Sequence, residues 1–299
     1  MNAKWITPAV TAMDEQGHID IEANKKIYDF LIEKGMDGIL LLGSIGEFFA
    51  IPVEEKKQLI REALAHINGR VTVYVGTADM NLDVCVELSN YALDQGADGA
   101  MVISPFYFNL PDSAILNFYN TLAQRVHGPL LLYNFPDRTG YDLRPDLVYQ
   151  LVSQNKNIVG IKDTVGTMGH TRGLIQKVKK NSPTSWCTPG LTNSLAITSS
   201  AEVTVASRAC PILPRKWLLA TPSGPGRTTF PAWPSTSRTI DSLMAIYDVA
   251  PQFVPVIKKA MALRGVAIGS SCAAPMLPAT QEETEKIQAI LSKEGLLDQ

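Results

Sequence analysis

Short apolar runs alternate with longer amphipathic segments over the first 180 residues of the chain. A continuous apolar run of this length is typical of a strand buried on both faces of a parallel sheet. Six such runs predict strands at 5–11, 37–43, 72–77, 99–105, 129–135 and 158–163. Each is followed by a stretch with helical spacing, so the pattern is one of repeated strand–helix units.

The segment 21–34 shows the helical spacing clearly, because Ile27, Phe30 and Leu31 fall on one face and Gly35 follows as a stop. Five more helices are predicted at about 54–67, 81–95, 112–126, 145–155 and 168–180. Candidate strands at 184–189 and 202–207 bring the predicted strands to eight. Eight such units predict an α/β fold of the (β/α)8 TIM-barrel type. A doubly wound sheet is the alternative, but the turn G-S-I-G-E lacks the glycine spacing of a dinucleotide site.

This rhythm breaks down between about 181 and 239. The stretch holds eight prolines, a single acidic residue (Glu202) and three of the four tryptophans. Proline breaks a helix wherever it falls in the interior, yet tryptophan is unusual in a linker. Two hypotheses follow, a disordered linker or a compensated pair of reading-frame shifts in the gene or its recorded sequence. We therefore expect a barrel over 1–240, with 181–239 anomalous, and a C-terminal helical extension over 241–299.

Composition and charge exclude several classes of protein. A hydrophobic share of 45%, a charged share of 19% and a net charge of −2 leave no basic surface for nucleic acid. No stretch reaches the roughly 18 apolar residues of a membrane span. We expect a cytoplasmic protein, because there is no apolar leader and the cysteines form no C-x-x-C pair.

The four histidines and four cysteines are scattered and form no metal-binding pattern. We therefore expect the histidines at the surface or at helix ends, and no metal site. What stands at the predicted carboxyl ends of the strands is a lysine, tyrosines, a serine and an arginine.

These residue types fit one reaction, with Lys162 at its centre. Lys162 is the second-last residue of the sixth predicted strand. Burial in an apolar barrel lowers the pKa of a lysine and makes the neutral amine available to attack a ketone. A tyrosine can move the proton that the next step needs. Ser44 and the backbone N–H groups of the G-S-I-G turn suit the carboxylate of a 2-keto acid.

Three motifs, G-S-I-G-E (43–47), Y-N-F-P-D-R-T-G (133–140) and G-I-K-D-T (160–164), occur in this order. Together they resemble the dihydrodipicolinate synthase / N-acetylneuraminate lyase family, over residues 1–180 and about 241–299. The resemblance implies a (β/α)8 barrel with C-terminal helices, usually a homotetramer built as a dimer of dimers. It also implies a class I, pyruvate-dependent aldolase or lyase that needs no cofactor.

By motif, the resemblance assigns Lys162 as the Schiff-base lysine and Tyr133 as the proton-relay tyrosine. Ser44 and the Ile45 amide are implied to hold the pyruvate carboxylate. Tyr107 matches a tyrosine that in the synthases reaches into the neighbouring subunit's relay. Arg138 matches the arginine that in the synthases binds the carboxylate of the second substrate.

One departure bears on the substrate. Synthases usually show G-T-T-G-E, whereas Ile45 here cannot pass a proton, and L-G-S-x-G-E-F with L-Y-N-F-P looks more like the 2-keto-3-deoxy sugar-acid aldolases. We therefore expect cleavage of a 2-keto-3-deoxy sugar acid to pyruvate and an aldehyde. Dihydrodipicolinate synthase and N-acetylneuraminate lyase remain alternatives. The anomalous stretch leaves a further one, an inactive barrel that binds a keto acid.

Overall fold

A computed structural model describes residues 4–179, 186–189, 205–207 and 242–297. Most of the anomalous stretch at 181–239 lies outside these residues, so both hypotheses about it stay predictions. Within the stretch, the two described segments are strands, at the places where the sequence predicts the seventh and eighth.

Eight parallel strands make up one sheet. They are β1 Lys4–Pro8, β2 Gly38–Leu41, β3 Thr72–Gly76, β4 Gly99–Ile103, β5 Leu130–Asn134, β6 Ile158–Asp163, β7 Trp186–Pro189 and β8 Val205–Ser207. Their order is β7-β6-β5-β4-β3-β2-β1-β8, and β7 and β8 at its two ends lie in contact. Each strand from β1 to β6 pairs with the next one along the chain, and the contact between β7 and β8 brings the two ends of the sheet together. This order is consistent with an α/β barrel. It excludes the doubly wound sheet, whose strand order reverses at a switch point.

Helices follow the strands as predicted, and the first five predicted helices begin and end within one residue of the predicted bounds. They are α1 Ile21–Glu33, α2 Val53–Ile67, α3 Leu82–Asp94, α4 Asp112–Arg125, α5 Pro136–Thr139, α6 Pro145–Gln154, α7 Met168–Leu174, α8 Phe253–Leu263 and α9 Gln281–Lys293. The predicted helix 168–180 continues beyond α7 as a π-helix, Ile175–Lys179. The predicted C-terminal extension includes a 3₁₀ helix, Ala245–Asp248.

The short helix α5 was not predicted. It begins with Pro136, whose fixed φ suits a first helical position, and ends at Gly140 with φ +81°. One turn of helix leaves too few positions for a periodic signal.

The core lies on both sides of the sheet, as continuous apolar strands require. Every residue of β2, β4 and β5 is buried. The register between β5 and β6 contains a bulge, because Leu130 pairs with Ile158 but Leu131 pairs with Gly160. Val159 is therefore an extra residue in β6.

A close backbone contact sets the position of the turn after β2. A Cβ at Gly76, the last residue of β3, would lie 2.0 Å from the Leu42 carbonyl oxygen. Leu42 itself has a φ of +50°. Because residue 76 is a glycine, the chain can pack Leu42 directly against the end of β3 as it leaves β2. The G-S-I-G-E turn begins at the next residue, Gly43.

Candidate active site

A cavity of about 280 Å³ opens where the carboxyl ends of β1, β5 and β6 meet the turn after β2. Its lining contains five of the six site residues predicted from the sequence, namely Ser44, Ile45, Tyr133, Arg138 and Lys162. The C-terminal region supplies the opposite wall through Met244, Tyr247, Pro251 and Phe253. The sixth predicted residue, Tyr107, is not part of the lining.

Lys162 lies at the centre of this arrangement and is only 4% exposed. Tyr133 and Lys162 are partners in the β5–β6 register. Because partners in a parallel register present their side chains on the same face, the ammonium lies 4.3 Å from the centre of the Tyr133 ring. The tyrosine is thus held beside the amine by strand pairing.

Ser44 connects the turn after β2 to this pair. Its Oγ lies 3.4 Å from the Tyr133 hydroxyl, so a serine, a tyrosine and a lysine follow one another across the cavity. Residues Ser44–Gly46 form a single 3₁₀ turn. The N–H groups at the start of such a turn have no acceptor within it, so those of Ser44 and Ile45 suit an anion.

Arg138 lies at the exposed side of the cavity, on α5. Its guanidinium carbon is 5.6 Å from the centre of the Phe135 ring and 6.0 Å from that of Phe253. The two rings, one after β5 and one on α8, hold the cation at the edge of the cavity.

Tyr107 lies outside the cavity and is 85% exposed, with a φ of +83°. Its ring packs edge-on against Phe108, which is also exposed, with 4.8 Å between the ring centres. Phe49 and Met80 are further exposed apolar side chains. The expectation that Tyr107 reaches a neighbouring subunit stays a prediction.

A second cavity, of about 360 Å³, lies beside the first and shares Ser44, Arg138, Pro251 and Phe253 with it. The rest of its lining is mainly apolar and includes Phe48, Phe49, Phe106 and Met276. The polar reacting centre therefore borders a larger apolar space.

Thr164, the last residue of the G-I-K-D-T motif, was not predicted as a site residue. This threonine lines the cavity, is 5% exposed, and its hydroxyl has no hydrogen-bond partner within the described part of the chain. Its place two residues after Lys162, on the same face of an extended segment, was the available signal.

A buried polar network lies behind the cavity, on the opposite face of β5 and β6. Asp163 accepts hydrogen bonds from Asn134 (2.9 Å) and Thr171 (2.7 Å), and His170 Nδ1 lies 3.0 Å from it. On its other side His170 contacts Asp142 at 3.1 Å. Asn134 follows Tyr133 and Asp163 follows Lys162, so the network joins the ends of β5 and β6.

His170 was predicted, like the other histidines, to lie at the surface or at a helix end. It does lie in the first turn of α7, but its side chain is only 11% exposed and is held between two carboxylates. Burial alone would lower its pKa, but the bonds to Asp142 and Asp163 outweigh burial and raise the pKa to about 10. Burial alone would raise the pKa of Asp142, but the bonds from His170 and Asn134 hold it below its usual value.

Within the described ranges, no cluster of three or more His, Cys, Asp or Glu side chains could hold a metal ion. In the same ranges no helix is both long and apolar enough to cross a membrane. The expectation that no cofactor is needed stays a prediction.

Comparison with known proteins identifies the family. The model of the dihydrodipicolinate synthetase family matches residues 1–294. YjhH of Escherichia coli K12, named a probable 2-dehydro-3-deoxy-D-pentonate aldolase, is 33% identical over 296 residues, which is 98% of this chain and 97% of YjhH. A 4-hydroxy-tetrahydrodipicolinate synthase of Methanoculleus marisnigri is 37% identical over 177 residues, which is 58% of this chain and 60% of the synthase.

Among solved structures, that of E. coli YagE, a prophage protein of the dihydrodipicolinic acid synthase family in complex with pyruvate, has a TM-score of 0.92. It is 31% identical and the match covers 98% of this chain and 99% of YagE. This chain therefore belongs to the dihydrodipicolinate synthetase family, and it is a lyase of the class I aldolase type.

Proposed function

We propose that this protein is a Schiff-base aldolase that cleaves or forms a 2-keto-3-deoxy sugar acid, with pyruvate and an aldehyde as the two halves. The observation that carries the proposal is the burial of Lys162 in a cavity beside Tyr133 and Ser44. A lysine that is 4% exposed needs a reason to be there, and covalent catalysis is one.

In the cleavage direction, the neutral amine of Lys162 attacks the C2 ketone and water leaves, which forms an iminium. The bond between C3 and C4 then breaks, its electron pair moves toward the iminium nitrogen to give an enamine, and the C4 hydroxyl loses its proton as the aldehyde forms. Protonation of C3 and hydrolysis release pyruvate and restore the amine.

Tyr133 and Ser44 carry the protons in this scheme. The tyrosine hydroxyl takes the C4 hydroxyl proton as it passes its own proton to the Ser44 hydroxyl, 3.4 Å away. The same two groups then return one proton to C3 of the enamine, so the relay ends as it began. The N–H groups of Ser44 and Ile45 bind the substrate carboxylate, which sets the ketone against Lys162.

The relatives favour a sugar acid. YjhH carries the name of a pentonate aldolase and matches 98% of this chain, and YagE carries that of a 2-dehydro-3-deoxy-D-gluconate aldolase and matches 96%. The synthase of M. marisnigri matches 58%.

Dihydrodipicolinate synthase is the second candidate, and Arg138 is the observation that favours it. A guanidinium at the entrance of the cavity suits a second carboxylate, which aspartate semialdehyde has and a neutral aldehyde lacks. Formation of product from pyruvate and aspartate semialdehyde, faster than turnover of any sugar acid, would support this candidate.

The finer structural expectations belong to the same proposal. A closed barrel of eight strands and a homotetramer built as a dimer of dimers are expected, and the exposed Tyr107 and Phe108 suit an interface between copies. A cytoplasmic location is also expected.

The intact mass after pyruvate and borohydride tests the proposal. We expect a pyruvate-sized increase in the wild type and none in Lys162→Ala. Lys56→Met is the matched control, because Lys56 is a buried lysine outside the cavity, and this variant should still be labelled. An unlabelled wild type would contradict the proposal and support the inactive barrel.

Turnover then separates the substrates. Pyruvate release would be measured with 2-keto-3-deoxy pentonate, 2-keto-3-deoxy gluconate and N-acetylneuraminate. We expect the first two to be cleaved faster than the third, and faster cleavage of N-acetylneuraminate would contradict the sugar-acid assignment.

A further inference from the structure

A buried ion pair joins the turn after β2 to the C-terminal part of the chain. The carboxylate of Glu47, which closes the G-S-I-G-E motif, contacts the ammonium of Lys258 on α8. Both side chains are 0% exposed. Neither residue lines the cavity, and the reaction scheme above uses neither of them.

Two further hydrogen bonds join the pair to backbone groups of the C-terminal part. The second carboxylate oxygen of Glu47 accepts a hydrogen bond from the Ala273 N–H at 2.7 Å. Lys258 donates a hydrogen bond to the Ser271 carbonyl oxygen, also at 2.7 Å. The carboxylate and the ammonium thus bind α8 and the 271–273 segment at once.

The backbone of Glu47 connects the ion pair directly to the Ser44–Gly46 turn. Glu47 has a φ of +59° and its N–H donates to the Ser44 carbonyl oxygen at 3.3 Å. On the other side, Thr11 donates to the Gly46 carbonyl oxygen at 2.7 Å. The turn is therefore held between the loop that follows β1 and the ion pair.

A buried pair of this kind tolerates little displacement. Two charges taken out of water are stable only while they stay in contact and their remaining hydrogen bonds are made. Any shift of the turn relative to α8 would separate them. The same region, through Pro251 and Phe253, also forms the cavity wall opposite Lys162.

We infer that Glu47 and Lys258 are positioning residues, through which the C-terminal part of the chain sets the place of the carboxylate-binding turn. This inference rests on the proposed function, because it needs Ser44 and Ile45 to bind the keto-acid carboxylate. It predicts that the pair controls the capture of keto acids and leaves the reactivity of Lys162 itself untouched.

Two ketones distinguish this role from simple stabilisation. The carboxylate of pyruvate binds the N–H groups of the turn. Acetone has no carboxylate, so it reacts with Lys162 without binding the turn. The rate of borohydride-trapped labelling would be measured with each ketone, at equal protein concentration and below the melting temperature of every variant.

Three variants make the test. Glu47→Gln removes the charge and keeps the size, and Glu47→Gln/Lys258→Met removes both charges so that no lone buried charge remains. Lys56→Met is the matched control, because it deletes a different buried lysine. A misplacement of about 1 Å can cost about 100-fold in rate.

We expect Glu47→Gln to slow pyruvate labelling by about 10- to 100-fold with acetone labelling unchanged. The double variant should regain thermal stability and keep the slow labelling with pyruvate. Lys56→Met should change the labelling rate with neither pyruvate nor acetone. Equal slowing of both ketones, or recovery of pyruvate labelling together with stability in the double variant, would overturn the inference. Absence of labelling in the wild type would instead reject the proposed function.

Discussion

Lys162 and Tyr133 show how little local sequence is needed to bring a lysine and a tyrosine together in a cavity. They are register partners on neighbouring strands, and each is followed by a polar residue that points to the opposite face, Asp163 and Asn134. The inward residues meet in the cavity, and the outward residues bond to each other at 2.9 Å. Strand alternation alone separates the reacting groups from the groups that hold them.

Removing the hydroxyl of Tyr133 tests the proposed proton relay at the scale of one residue. Tyr133→Phe keeps the ring beside the ammonium and removes only the proton carrier, so we expect pyruvate labelling to persist while kcat falls about 10²- to 10⁴-fold. Steady-state turnover and borohydride labelling would be measured together.

Tyr119→Phe is the matched control for this change. Tyr119 is a buried tyrosine outside the cavity whose hydroxyl donates to the Val102 carbonyl oxygen. This variant should keep its kcat. A Tyr133→Phe enzyme with wild-type kcat would remove the hydroxyl from the mechanism.

At the scale of elements, the site depends on contacts between segments that are far apart in the chain. The network around Asp163 joins β5, β6, the residues after α5 and the start of α7. The turn after β2 leaves its strand against the end of β3, where only glycine fits.

The network makes a prediction about pH. The folded pKa of His170, about 10, lies above its ordinary 6.5, so the protonated ring stabilises the folded state. This contribution is complete below about pH 6.5 and is lost as the pH rises through about 10. Removing the histidine takes the cation away from a fully buried carboxylate, Asp163, and a partly exposed one, Asp142. His170→Gln should therefore lose about 3 kcal/mol at pH 6.

Urea unfolding of wild type and His170→Gln at pH 6, 8 and 10 would measure this dependence. The difference in free energy of unfolding between the two proteins should shrink as the pH rises, because the His170 ring of the wild type loses its proton. Other groups that titrate near pH 10 are common to both proteins, so their effects cancel in the difference. A difference that stays constant would mean that the ring is not charged in the folded state.

Gly76 gives the second prediction at this scale. Gly76→Ala would press a methyl group onto the Leu42 carbonyl and should cost about 3 kcal/mol or more in free energy of unfolding. Gly166→Ala is the control, because nothing lies within 4 Å of a Cβ at that position. Equal melting temperatures for the two variants would contradict the close contact.

At the scale of the whole molecule, we predict that the exposed apolar side chains of the described residues contact another copy of the chain. Phe49, Tyr107 and Phe108 are more than half exposed and lie on segments next to the cavities. Contiguous exposed apolar surface is typical of an interface, and the family resemblance implies a homotetramer.

Sedimentation tests this expectation. The wild type should run as four protomers of 32.6 kDa, and Phe108→Arg should shift it to smaller species. Lys293→Glu, a charge change on the remote helix α9, should not. A monomeric wild type would contradict the predicted assembly.

Sequence reasoning reached those parts of the site that lie within single motifs. The lysine at the end of β6, the tyrosine at the end of β5 and the turn after β2 each follow from an apolar run and the polar residues that close it. The bond between Glu47 and Ala273 joins positions 226 residues apart, and no local spacing records such a contact. The ring of His170 was missed for the same reason, because its two carboxylate partners come from other segments.

The extra residue in β6 has a consequence for how such a site can change. Val159 is accommodated as a bulge, so Leu130 keeps Ile158 as its partner while Tyr133 keeps Lys162. Deleting Val159 would leave both pairs in place and restore a regular ladder between the two strands. The strand can therefore gain or lose one residue at this point and still hold Lys162 beside Tyr133, so a one-codon change in length here need not disturb the cavity.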